Sequence, residues 1–183
     1  MKTLLIVTCA CLFFVACACS VPASGNGTDE LHVRVRLTTG ERSKDSNSKT
    51  TTITVEQDAI VWERTSSRDR RRKKPPLRKE FRLSAADKGN LLKLIRSNNL
   101  LVTDSIELPR PSSNYQYFEV SVDLTLGGKK GAVNISGPRN AAGVKDKPLY
   151  RSTRLLIEEL YRLMNGHDKS VHFEELILEP IKL

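Results

Sequence analysis

The sequence predicts an α+β protein, a mostly antiparallel sheet with two helices packed on one of its faces. Leu31 to Thr38 and Phe118 to Leu126 alternate strictly between apolar and polar side chains, the period of a strand with one buried face. Segments beginning at Ser84 and Pro148 instead carry apolar residues at helical spacing. The elements run strands, helix, hairpin, helix, and strands with one wet face belong to a mainly antiparallel sheet covered on the other side.

In the first strand Leu31, Val33, Val35 and Leu37 point one way, and His32, Arg34, Arg36 and Thr38 the other, which makes the outer face basic. Gly40 to Ser48 reads as a polar loop. Thr50 to Glu56, with Ile53 and Val55 inward, and Ala59 to Thr65, around Ile60 and Trp62, read as two strands joined at Gln57-Asp58. Residues 66–80 read as a basic loop, and Phe81 and Leu83 end a short strand behind it. Ser84-Ala85-Ala86-Asp87 has the form of a capping box, so a helix starts there with Leu91, Leu92, Leu94 and Ile95 as its apolar stripe. Asn98-Asn99 stop it. Pro109 and Pro111 mark a loop. After Phe118 to Leu126, Gly127-Gly128 turn the chain into Ala132 to Ser136. Pro148 opens a last helix with Leu149, Thr153, Leu156, Ile157, Leu160 and Met164 on one face, stopped at Asn165-Gly166. Leu176-Ile177-Leu178 in the tail read as a docked edge strand.

Ahead of this domain, Lys2 precedes the uncharged run Leu4 to Val15 and then small residues, the order of an export signal. The run is about 12 residues, whereas a spanning helix needs roughly 20. All four cysteines (Cys9, Cys11, Cys17, Cys19) lie in the first 19 residues, so a disulfide framework is not expected in the fold. Phe14-Val15-Ala16-Cys17 resembles a bacterial lipobox, with Phe14 where Leu is usual. The resemblance implies lipidation of Cys17, which would become the mature N-terminus; Ala16-Cys17-Ala18-Cys19 offers Cys19 as the alternative. Ordinary cleavage after Ala18 or Ala23 would give an unlipidated secreted or periplasmic protein. The resulting layout is a signal at 1–16, a flexible tether at 17–30 and a single domain at 31–183. In a lipid-anchored envelope protein, that tether would hold the first strand within a few nanometres of the bilayer, with the basic loop beside a phosphate-rich surface.

Removing the signal leaves about 165 residues, enough for one domain that buries around 70% of its unfolded surface. The net charge of +9 loses only Lys2 with the signal, and a surplus of that size favours anionic partners. It is concentrated in Arg68, Arg70, Arg71, Arg72, Lys73, Lys74, Arg78 and Lys79, eight cations within twelve residues. Such a block repels itself and reads as a solvated loop or arm. No aromatic residue is interleaved with it for base stacking, and export removes the chain from chromosomal DNA, so nucleic acid is not expected. Anionic lipid, lipopolysaccharide or acidic polysaccharide are the partner classes that fit.

Catalytic chemistries find little support. Without a cysteine in the fold, thiol catalysis and cysteine-rich zinc sites are excluded. His167 and His172, with Asp168, Glu174 and Glu175, form the one cluster with conceivable metal-ligand spacing, but five residues separate the two His where a helical motif needs four. Gly127-Gly128-Lys129-Lys130-Gly131 lacks phosphate-loop spacing and leads into a strand, so it reads as a hairpin turn. No enzyme, metal or cofactor is therefore expected.

The strand ending in Phe81-Arg82-Leu83-Ser84, the Leu-rich helix, the strand Tyr117 to Leu126 with its Gly turn and the closing helix Leu155 to Met164 resemble the layout of the emfourin-type protease-inhibitor domains of bacteria, over roughly residues 31 to 165. The resemblance implies an inhibitor of a secreted protease. It carries no inhibitory residue onto this chain, which has a longer basic insertion. Leu108-Pro109-Arg110-Pro111 is the natural exposed loop, since two prolines reduce the entropy lost on binding.

Overall fold

The two strictly alternating segments form the centre of the sheet. A computed structural model describes residues 30–41, 47–111, 114–139 and 143–171. The strands are β1 (Leu31–Glu41), β2 (Ser48–Glu56), β3 (Ala59–Ser66), β4 (Leu77–Arg82), β5 (Thr103–Glu107), β6 (Gln116–Leu126) and β7 (Lys129–Pro138). The helices are α1 (Ser67–Arg71), α2 (Ala85–Ser97) and α3 (Pro148–His167). The sheet order is β4-β3-β2-β1-β6-β7-β5, antiparallel throughout except where β5 lies parallel to β7.

Register makes one face the core. Val35 stands opposite Ile53 on β2 and Val122 on β6; these in turn face Trp62 and Val133. All five are buried, and Leu91 and Ile95 of α2 and Leu156, Ile157, Leu160 and Met164 of α3 belong to the same continuous core. Each such side chain, fully buried, contributes about 1.5–3 kcal/mol. On the opposite face one row reads Glu80, Val61, Thr54, Arg34, Asp123, Ala132, Thr103, and every member is exposed or half-buried.

Gly127 and Gly128 adopt φ of 54° and 79°, the left-handed pair that a tight hairpin requires. Ser84 Oγ accepts the Asp87 backbone N–H at 3.1 Å and donates to Asp87 Oδ2 at 2.6 Å, capping α2. Tyr150 is buried in the first turn of α3, and that burial pushes its hydroxyl up to about 12.

Several expectations change. Residues 66–80 are not simply a loop: they contain the short helix α1, a third helix beside the two expected, and the first four residues of β4. β5 was unforeseen, because Thr-Asp-Ser-Ile-Glu has one apolar residue and shows no alternation; its pairing with β7 makes the sheet mixed. Asn165-Gly166 does not stop α3, which runs to His167 and closes with the Asp168 N–H donated to Met164 O at 2.9 Å. The export segment, Cys17, Cys19, Glu174, Glu175 and Leu176 to Leu178 lie outside the described residues. Among the described residues, no helix is long and apolar enough to cross a membrane.

Candidate polyanion-binding site

Basic residues 68 to 74 form a turn whose backbone is closed at both ends. At its start Ser66 Oγ accepts the Asp69 N–H at 3.0 Å and donates to Asp69 Oδ2 at 2.6 Å, the same device that caps α2. Ser67 Oγ accepts the Ser48 N–H at 3.0 Å, and Arg71 Nη2 donates to Asn47 Oδ1 at 3.3 Å, tying α1 to the start of β2. At its end the Lys74 N–H reaches Asp69 O and the Lys73 N–H reaches Arg70 O, each at 3.0 Å. That is a Schellman closure, and it places Lys73 at φ 53°, where glycine is usual. Pro75 and Pro76 then carry the chain into β4.

Arg68, Arg70, Arg71, Arg72, Lys73 and Lys74 are all exposed on this turn. None of them forms an ion pair among the described residues. Self-repulsion does not unravel the segment, because backbone groups satisfied at both termini hold it while the charges stay in water. The segment is solvated, as its charge implies, but Ser67–Arg71 is a helical turn and not a loop.

Arg78 and Lys79 belong elsewhere. Both sit in the edge strand β4, where Arg78 Nε is 3.5 Å from Glu63 and its Nη2 3.2 Å from Glu80. Lys79, half-buried, donates to Asp168 Oδ2 at 2.7 Å and to Ser170 Oγ at 2.6 Å. This clasp pins the end of α3 to the sheet edge. The Lys79 hydrogen bond, helped by Ser170, holds the Asp168 carboxyl well below the usual carboxylate range. The outer face of β1 is also less basic than its own sequence implies: Arg34 stands in register with Asp123, and His32 Nδ1 is 3.5 Å from Glu56.

Two clefts open at opposite ends of the sheet. α1 lies at the end where β1 finishes, beside Asn47 and Ser48. At the other end Glu30, Leu31, His32, Glu56, Gln57, Asp58 and Lys88 line an open, mainly acidic cleft of about 640 Å³. Lys88 there is 3.4 Å from Asp58. A smaller cleft of about 260 Å³ lies at the α1 end, between Glu41, Arg110, Tyr115, Tyr117, Phe118, Glu119, Ser136 and Gly137.

Of the metal-spaced cluster, His167 is exposed with its ring 6.2 Å from Phe81, Asp168 is held by Lys79, and His172, Glu174 and Glu175 lie outside the described residues. Among the described residues no group of three or more His, Cys, Asp or Glu could hold a metal ion. Sequence reasoning missed Asn47, Ser66 and Asp69, although Ser66-Ser67-Arg68-Asp69 carries the cap pattern. The smaller cleft had no local signal, since its residues come from three strands and a loop. The chain matches no protein-family model and no curated protein.

Proposed function

We propose that this protein is an exported, lipid-anchored envelope protein whose domain is a non-catalytic binding module for anionic polymers or surfaces. The observation that carries this reading is the turn at Arg68–Lys74, six exposed cations on a backbone closed at both ends. A held turn loses less entropy on binding than a loose arm would. In this reading α2 and α3 cover the core face of the sheet and leave the polar face open to a partner.

Charge layout supports a polymer over the anchoring bilayer. β1 has 11 residues, so about 34 Å separates Leu31, where the tether joins, from the α1 end. An anchor preceding Leu31 would join beside the cleft of Glu30, Glu56 and Asp58, and the Arg68–Lys74 turn lies at the opposite end of β1. An acidic polysaccharide or the phosphate groups of lipopolysaccharide, met at a distance from the anchor, fit this layout.

Each cation near such a partner is worth up to ~1 kcal/mol before screening. Replacing Arg70, Arg71, Arg72, Lys73 and Lys74 by Ser should therefore abolish retention on heparin and on anionic vesicles at low salt. Retention that is unchanged and insensitive to salt would overturn the reading.

One observation keeps the protease-inhibitor reading in view. Leu108 is buried against Gly137, and Arg110 Nη2 is 2.7 Å from Glu107, so exposed Pro109, Arg110 and Pro111 ride on an anchored base. Lack of inhibition of serine proteases and metalloproteases at micromolar concentration would remove it.

A further inference from the structure

The cleft at the α1 end has a chemistry unlike that of the basic turn beside it. Tyr117 projects on the polar face from β6, opposite Gly40 of β1. A Cβ on Gly40 would lie 2.9 Å from both Tyr117 Cε1 and its hydroxyl, so the ring lies against the β1 backbone, with room made by the glycine. Tyr117 and Tyr115 are half-buried and line the cleft together with Phe118, Gly137, Glu41, Glu119, Ser136 and Arg110. The loop side is held by the Arg110–Glu107 pair, and Glu41 Oε1 accepts from Gln116 Nε2 at 3.4 Å.

This lining selects among ligands. It has no aliphatic wall for an acyl chain. Two carboxylates, Glu41 and Glu119, oppose a phosphate or sulfate inside it, and Arg110 opposes a free cation. What remains is a small, uncharged, hydroxyl-rich ring. Aromatic faces can cover its C–H face, while carboxylates, Ser136 and the guanidinium bond its hydroxyl rim. At about 260 Å³ the cleft is below the roughly 300–1,000 Å³ of sites for drug-sized ligands, which suits a single ring.

We infer that this cleft binds one uncharged sugar ring of a glycan chain whose negative groups meet the Arg68–Lys74 turn. Both features sit at one end of the sheet, linked by the strand ends Glu41 and Asn47: the Glu41 N–H donates to Asn47 O at 3.3 Å, and Asn47 Oδ1 accepts from Arg71. The inference deepens the polyanion reading by naming a polysaccharide as the partner, and it rests on that reading only for the charged half of the ligand.

The test uses neutral hexasaccharides of β-linked glucose, N-acetylglucosamine and mannose, followed by NMR of the whole protein. At least one should shift the signals of Tyr115, Tyr117 and Ser136 at millimolar concentration and leave those of Arg70 to Lys74 unmoved. Tyr117→Leu and the exposed Glu119→Gln should each weaken that binding about tenfold or more, and the second variant stands even if the first disturbs folding. The five-serine turn variant should bind the neutral sugar as before. If none of the three sugars shifts the cleft, or if tetramethylammonium shifts it instead, the sugar site is overturned. Heparin retention that depends on the turn would then still leave the polyanion reading in place, so the two failures can be told apart.

Discussion

Arg70 and Arg78 stand eight residues apart in one basic stretch, yet the fold gives them opposite situations. Arg70 projects from a capped turn with no carboxylate paired to it among the described residues, whereas Arg78 lies in an edge strand within 3.5 Å of Glu63 and 3.2 Å of Glu80. Lys73 and Lys79 repeat the contrast: the first is exposed, the second holds Asp168 and Ser170. Identical charge in a sequence thus divides into charge free for a partner and charge already bound into the fold. Pairing across strands makes that division, and the local run of residues does not show it.

Three kinds of substitution sharpen the comparison, and the turn itself should give the largest effect. The five-serine variant removes five cations, each worth up to ~1 kcal/mol, so affinity for heparin at low salt should fall by up to roughly three orders of magnitude. Replacing Arg78 and Lys79 by Ser should change the same affinity by only about twofold, read on the same column across a salt gradient. If both variants lose affinity equally, the basic stretch works as one undivided patch.

The second effect is on stability. Ser66→Ala removes the cap of α1 and Ser84→Ala that of α2, each costing about 1 kcal/mol in its own helix. Urea unfolding should register the loss at Ser84, which caps a helix of the main core. Ser66→Ala should scarcely move the midpoint and should instead raise the hydrogen exchange of the Lys73 and Lys74 amides. A midpoint lowered equally by both would make α1 part of the cooperative core. Lys73→Gly relieves the left-handed backbone and should firm the turn by a few tenths of a kcal/mol up to ~1 kcal/mol, seen as slower exchange there.

Acid and base separate the two regions further. The Asp168 carboxyl is depressed in the folded protein, so its contribution is present above the ordinary aspartate value near 3.9 and is lost as pH falls through the folded value. Asp168→Asn should flatten that part of the acid unfolding profile. Tyr150 has the reverse sign. Its hydroxyl is raised to about 12 in the fold, so stability present below pH ~10 is lost between about 10 and 12, and Tyr150→Phe should remove this alkaline slope.

Much of this architecture was legible in the sequence because its period is simple. Val33, Val35, Val122 and Leu124 alternate with charged or small polar residues, and each is buried as alternation requires. The Ser84–Asp87 cap and the apolar face of α3 were equally direct. Thr103 to Glu107 was not, because β5 is an edge strand held by parallel backbone pairing with β7, which needs no apolar pattern. The turn was read as a loop because charge density outweighed its cap pattern, although caps act on the backbone and tolerate any exposed side chain beyond it.

By itself the sequence determined the α+β class, the buried set of β1 and β6, the two long helices and the place of the basic stretch, since all of these depend on neighbours a few residues away. Tertiary structure decided which cations are paired, because Lys79 and Asp168 are 89 residues apart and meet only where α3 ends beside β4. It also placed the Arg68–Lys74 turn at the end of the sheet opposite the cleft of Glu30, Glu56 and Asp58, and it assembled the Tyr115–Tyr117 cleft from β1, β6, β7 and the loop at Arg110. Those properties come from register and strand order, which place residues remote in sequence within a few ångströms of one another.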